Sequence, residues 1–153
     1  MTVHDMFHSG SIEIGAASVE VYDTIRQLDR MGEWSPENDG GRWVSGDGSR
    51  VGDQFEGDNR RGEKTWSVVV TVDRATPGSV YAFHTGPTDG PYVQWTYTMA
   101  PSDTGTELVE TWDVMKLSPF MDDASATDLA DRKGQIERDI AETLANIKAA
   151  IEN

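Results

Sequence analysis

The chain has 153 residues, a formal net charge of −14 and no cysteine. Its length suits one domain around one core, its acidity repels phosphate backbones and anionic headgroups, and the absence of thiols excludes disulfides and thiolate chemistry. Nucleic acid is therefore not an expected partner, and no apolar run approaches the roughly 20 residues of a membrane span. Residues 1–10 lack the basic start and apolar centre of a signal peptide, so a cytoplasmic protein without stable membrane insertion is expected.

Residues 1–8 read as a loose tail and residues 9–153 as a single domain. In residues 11–14 polar and apolar side chains alternate, which puts Ile12 and Ile14 on one face of a first strand. Ser18 is placed to cap a short helix whose stripe is Val21, Tyr22, Ile25 and Leu28. Gly32 and Pro36 break the helical region around Trp34, before an extended stretch at residues 42–44. Turn chemistry at Asp47-Gly48, Arg61-Gly62, Pro77-Gly78, Asp89-Gly90 and Asp103 to Gly105 then separates further strands into an antiparallel meander. Their period of two groups Phe55, Gly57 and Asn59; Trp66, Val68, Val70 and Val72; Tyr81, Phe83 and Thr85; Val93, Trp95, Tyr97 and Met99; and Leu108, Glu110, Trp112 and Val114.

Residues 123–152 carry the stripe Leu129, Ile136, Ile140, Leu144, Ile147 and Ile151, with Ser125 and Asp128 spaced as a capping box and Arg138 placed to pair with Glu142. About 28 helical residues span on the order of 40 Å against roughly 27 Å for an eight-residue strand, so this helix can cross a whole twisted sheet. The pattern predicts an α+β fold in which a curved antiparallel sheet of about seven strands wraps a long C-terminal helix, with short helical segments between strands 1 and 2. One helix cannot fill a curved sheet lined by bulky rings, and a cavity is expected between them.

Several stretches resemble a known group: Val21-Tyr22, Asp29-Arg30-Met31-Gly32-Glu33-Trp34-Ser35-Pro36-Glu37, residues 51–55 with Gly57-Asp58-Asn59-Arg60-Arg61-Gly62, Trp95-Thr96-Tyr97 and Gly105-Thr106-Glu107-Leu108. From about Ser9 to the end the chain resembles uncharacterised actinobacterial members of the START-like (SRPBCC) superfamily, of the polyketide cyclase/dehydrase and lipid-transport type. The resemblance implies the helix-grip fold and an apolar ligand cavity between sheet and helix. It transfers no catalytic motif.

Glu110 is the most pointed residue, because its parity sets it inward beside Leu108, Trp112 and Val114. An unpaired ionised carboxylate there costs several kcal/mol, so it must find a partner, reach water, or take up a proton and become a general acid or base. Asn59 faces the same side and either orients a ligand or bonds the turn backbone at Arg61 and Gly62, while Arg60 points to solvent. Tyr81 and Tyr97 bring hydroxyls inward, and Trp66, Trp95 and Trp112 offer flat surfaces for rings. Phe83, Ile140, Leu144 and Ile147 complete the expected lining.

No metal site or cofactor is expected: His4 and His8 fall in the expected tail, His84 has outward parity, and neither a nucleophile elbow nor a nucleotide-binding loop occurs. The first reading is therefore binding or carriage of a small hydrophobic molecule, lipid or polyketide-like. The second is a polyketide aromatase/cyclase or dehydratase using Glu110 as acid/base. The third is a protein-interaction module with a filled interior.

Overall fold

The computed structural model describes residues 2–153. Seven strands form one antiparallel sheet: β1 (Phe7–Ile14), β2 (Asn38–Ser45), β3 (Gln54–Arg61), β4 (Lys64–Thr76), β5 (Val80–Thr85), β6 (Val93–Ser102) and β7 (Gly105–Val114). Helix α1 (Ser18–Ile25) and a 3-10 segment, Leu28–Glu33, lie between β1 and β2, and α2 (Ala126–Glu152) closes the chain. The strand order β1-β7-β6-β5-β4-β3-β2 is a meander whose last strand accepts the first along its free edge. This is the helix-grip fold. Among the described residues no helix is long and apolar enough to cross a membrane.

The sequence places each element, and tertiary contacts move some of the boundaries. β1 begins at Phe7, four residues earlier than the alternation suggests, because β7 pairs with it from Phe7↔Asp113 to Ile14↔Thr106. Residues 3–8 are accordingly not a loose tail: Val3–Asp5 forms a 3-10 turn, Met6 is buried in the core, and the Met6 carbonyl accepts from the Val114 N–H at 2.9 Å. β2 extends beyond residues 42–44 to Asn38–Ser45, with its register against β3 shifting twice.

Helix α2 starts at Ala126 rather than Asp123, where the reciprocal cap forms: Ser125 Oγ accepts from the Asp128 N–H at 3.1 Å and the Ser125 N–H donates to Asp128 Oδ2 at 3.0 Å. Ser18 does not cap α1. Ala17 holds the N-cap position, and the Ser18 hydroxyl bonds Thr106 Oγ1 at 3.0 Å. Arg138 turns towards Gln135, with Nη2 donating to Oε1 at 3.4 Å, instead of pairing with Glu142.

Helix α2 packs chiefly along β1 and touches β7 and the 3-10 segment far less. Gly10 makes this close approach possible, since a Cβ at that position would lie 2.9 Å from Ile140 Cγ2 and 3.5 Å from Leu144 Cδ1. Gly10→Val is expected to push the helix off the strand at a cost of about 1–3 kcal/mol. Thermal unfolding measures it, and a melting temperature equal to wild type would remove Gly10 from this role. Helix α1 packs at the other end of the sheet against β6 and β7. With one helix along one edge strand and the other across one end, the concave faces of β3 to β6 keep space above them.

Candidate functional site

The antiparallel register sets which side chains share an end of the sheet. Val70↔Thr85 and Val93↔Val114 bring the β3–β4 turn, the β5–β6 loop and the segment between β7 and α2 to one end. At the opposite end α1 seals the interior: Tyr22 meets Tyr81 edge to face, with centroids 5.8 Å apart. Between them lies a cavity of about 850 Å³, within the range of small-molecule sites.

Among its lining side chains are Asn59, Trp66, Phe83, Trp95, Tyr97, Glu110, Trp112 and Ile140, all on the faces that strand and helix periodicity gives. Phe55, Val68, Val70, Val114, Ile136 and Met6 add apolar wall. Tyr81, Leu144 and Ile147, expected in the lining, are not part of it. Tyr81 has the right face but the wrong end. It lies fully buried against Tyr22, its hydroxyl has no hydrogen-bond partner, and burial pushes its pKa up. Leu144 and Ile147 sit further along α2 and are buried in the core, Leu144 beside Gly10. Trp34 and Trp43 also stay out of the cavity, Trp34 buried and Trp43 against Phe55 with centroids 5.3 Å apart.

Glu110 neither reaches water nor meets an arginine. It is 4% exposed, and its Oε2 accepts from the hydroxyl of Tyr97, its register partner on β6, at 3.0 Å. Its Oε1 is buried with no hydrogen-bond partner. Burial pushes the Glu110 carboxyl up to about 8; the Tyr97 bond pulls the other way, and the negative Asp139 adds to the rise. At neutral pH this carboxyl holds its proton. Burial and the neighbouring Glu110 raise Tyr97 well above its ordinary value.

Asn59 bonds across the strands rather than to the turn: its Oδ1 accepts from Asn38 Nδ2 at 3.1 Å, and Asn38 Oδ1 accepts from the Gly40 N–H at 2.7 Å. Arg60 points outward and meets Asp39 at 3.1 Å on the surface. His84, of outward parity as expected, is nonetheless buried, with Nδ1 2.6 Å from Asp73 Oδ1.

A charged quartet that the sequence reading missed bridges the gap between α2 and the β2–β3 edge. Arg61 donates to Glu37 Oε1 at 2.9 Å and to Asp139 Oδ2, while Arg132 donates to both Glu37 oxygens at 2.9 and 3.2 Å. Gln135 Nε2 adds a bond to Asp139 Oδ1 at 3.0 Å. Burial raises the Glu37 carboxyl, but Arg132 and Arg61 outweigh it and hold the group below its ordinary value. The available signal was Asp139 itself, an acid set within the apolar stripe between Ile136 and Ile140.

The family described as "Polyketide cyclase / dehydrase and lipid transport" matches residues 8–152. The chain belongs to this family. It is 30% identical to the Polyketide_cyc-like protein Cgl2372 from Corynebacterium glutamicum, covering 96% of this chain and 91% of that one with a TM-score of 0.68. The di-domain ARO/CYC StfQ of the steffimycin biosynthetic pathway is 15% identical, with a TM-score of 0.72 over 96% of this chain and 50% of StfQ. TTHA0849 from Thermus thermophilus is 16% identical, with a TM-score of 0.70 over 95% of this chain and 96% of that one. The last two share the fold. No curated protein matches the chain in sequence. This member of the polyketide cyclase/dehydrase family thus holds a cavity between sheet and helix whose lining surface is mostly apolar.

Proposed function

We propose that the protein binds and carries a small hydrophobic molecule, polyketide-like or lipid, in the cavity between sheet and α2. The observation that carries this reading is an interior of about 850 Å³ into which Trp66, Trp95 and Trp112 face together with Phe55 and Phe83. Apolar burial would supply the affinity and the flat rings would favour flat ligands. Asn59, Tyr97 and Glu110 would orient the ligand, and Ile140 would press on it from α2. The family's description points the same way, to polyketide cyclases and dehydrases and to lipid transport. An interaction module would instead fill this space with its own side chains.

Titration with multi-ring aromatic ketones and with fatty acids, followed by tryptophan emission, is expected to give a saturable change. Trp95→Ala should weaken the tighter class about tenfold, the loss of one well-packed ring contact. Flat titrations with both classes would refute carriage.

A second reading, an aromatase/cyclase or dehydratase, is favoured by one observation: a buried carboxyl pushed up to about 8 in the cavity wall is poised to give and take a proton at neutral pH. On that reading Glu110→Gln abolishes turnover of a poly-carbonyl substrate while binding persists. Equal turnover in the variant removes Glu110 from the chemistry.

A further inference from the structure

The charges lining the cavity are already matched, apart from the exposed rim lysines Lys64 and Lys116 and one carboxyl at depth. Glu37, Arg61, Arg132 and Asp139 satisfy one another. At depth, the single hydroxyl proton of Tyr97 is spent on Glu110 Oε2, and Oε1 of this cavity-lining residue is buried and, among the described residues, without a partner. With the Tyr97 hydroxyl donating to Oε2, the proton of the neutral carboxyl lies on Oε1, and no atom among the described residues receives it. A buried donor left unmade costs about as much as a lost hydrogen bond, so a bound molecule that offers it an acceptor gains that bond.

We infer that the inner end of the ligand is an uncharged hydrogen-bond acceptor, a ketone, ester or quinone-type carbonyl oxygen, seated against Oε1 of Glu110, and that Glu110 selects it. This inference rests on the proposed carriage of a small hydrophobic molecule. The titratable groups that act on it are Tyr97 on β6 and Asp139 on α2, the latter held by Arg61 from β3, while His8 on β1 lies against Glu137 on α2. His8 Nδ1 lies 3.6 Å from Glu137 Oε2 and Asp139 is held by Arg61, so the one charge that raises Glu110 beyond the effect of burial is Asp139. A carboxylate ligand would add a second negative charge beside Asp139. An ammonium would need the opposite protonation state of Glu110, which makes an amine the informative competitor.

The test uses four probes of one shape, acetylanthracene, ethylanthracene, aminomethylanthracene and anthracene carboxylate, each titrated against the intact protein and against Glu110→Gln from pH 6 to about pH 10. At pH 6 the ketone should bind about tenfold tighter than its ethyl counterpart, the worth of one hydrogen bond from a buried neutral donor. Above about pH 8 that advantage should fall away, to near parity by about pH 10, as Glu110 loses the proton that makes the bond. Glu110→Gln, whose amide still donates, should keep the preference and lose the pH dependence. Equal affinity of the ketone and ethyl probes, a preference for the amine, or an unchanged pH profile in Glu110→Gln overturns the inference while leaving carriage standing. Failure of all four probes to bind overturns both.

Discussion

Glu110→Gln is expected to melt above wild type at pH 9, by up to about 10–20 °C, and close to it at pH 5. In the folded state the carboxyl is held at about 8 against an ordinary 4.5, so the native protein keeps a proton that the unfolded chain has released. Between these two values the native state binds more protons than the unfolded one, and stability falls as pH rises. Below 4.5 the group is neutral in both states and contributes no penalty; above about 8 it is ionised in both and the penalty is complete. The full rise corresponds to at most about 5 kcal/mol, and each kcal/mol moves the melting temperature of a chain this size by roughly 2–4 °C. The neutral amide preserves the Tyr97 bond and avoids the ionisation. Melting curves of both proteins across the range check the prediction, and parallel curves with no widening gap would mean that Glu110 ionises freely in the fold.

Arg61→Met is expected to cost about 2–3 kcal/mol at pH 7, seen as a melting temperature lower by roughly 5–10 °C. The substitution leaves the buried Asp139 with Gln135 alone, while Glu37 keeps Arg132. Arg61 is itself partly exposed, which places the cost below the range for a fully buried pair. Pairing it with Asp139→Asn should recover most of the loss, because the stranded charge disappears with its partner. A neutral single variant, or a double variant no better than the single, would show that the quartet does not hold α2 over β3.

The parts of this molecule legible in its sequence are those governed by local periodicity. The pleat alone puts Trp95, Tyr97, Glu110 and Trp112 on the concave face, whatever the rest of the chain does. What the pleat does not encode is position along that face. Tyr81 shares its face with Phe83, yet one lies under α1 and the other in the cavity, because only the docking of α1 decides which end is sealed. The same holds for Ile140 against Leu144 on one helical stripe. The start of β1 was hidden because Phe7 to Gly10 has little apolar alternation of its own and becomes a strand by pairing with β7. The quartet joins residues 78 and 95 positions apart, beyond any spacing rule, although an acid on an apolar stripe already implied that a cation would come to meet it.

The two chain ends have opposite relations to the entrance. Glu152 Oε2 accepts from the Gly15 N–H at 2.8 Å, which fixes the last turn of α2 beside the stopped end of the sheet. Met6, by contrast, stands in the cavity wall next to Val114. A reporter or tether joined after Asn153 therefore sits at the end that α1 seals, away from the side of the cavity wall that Met6 helps to form.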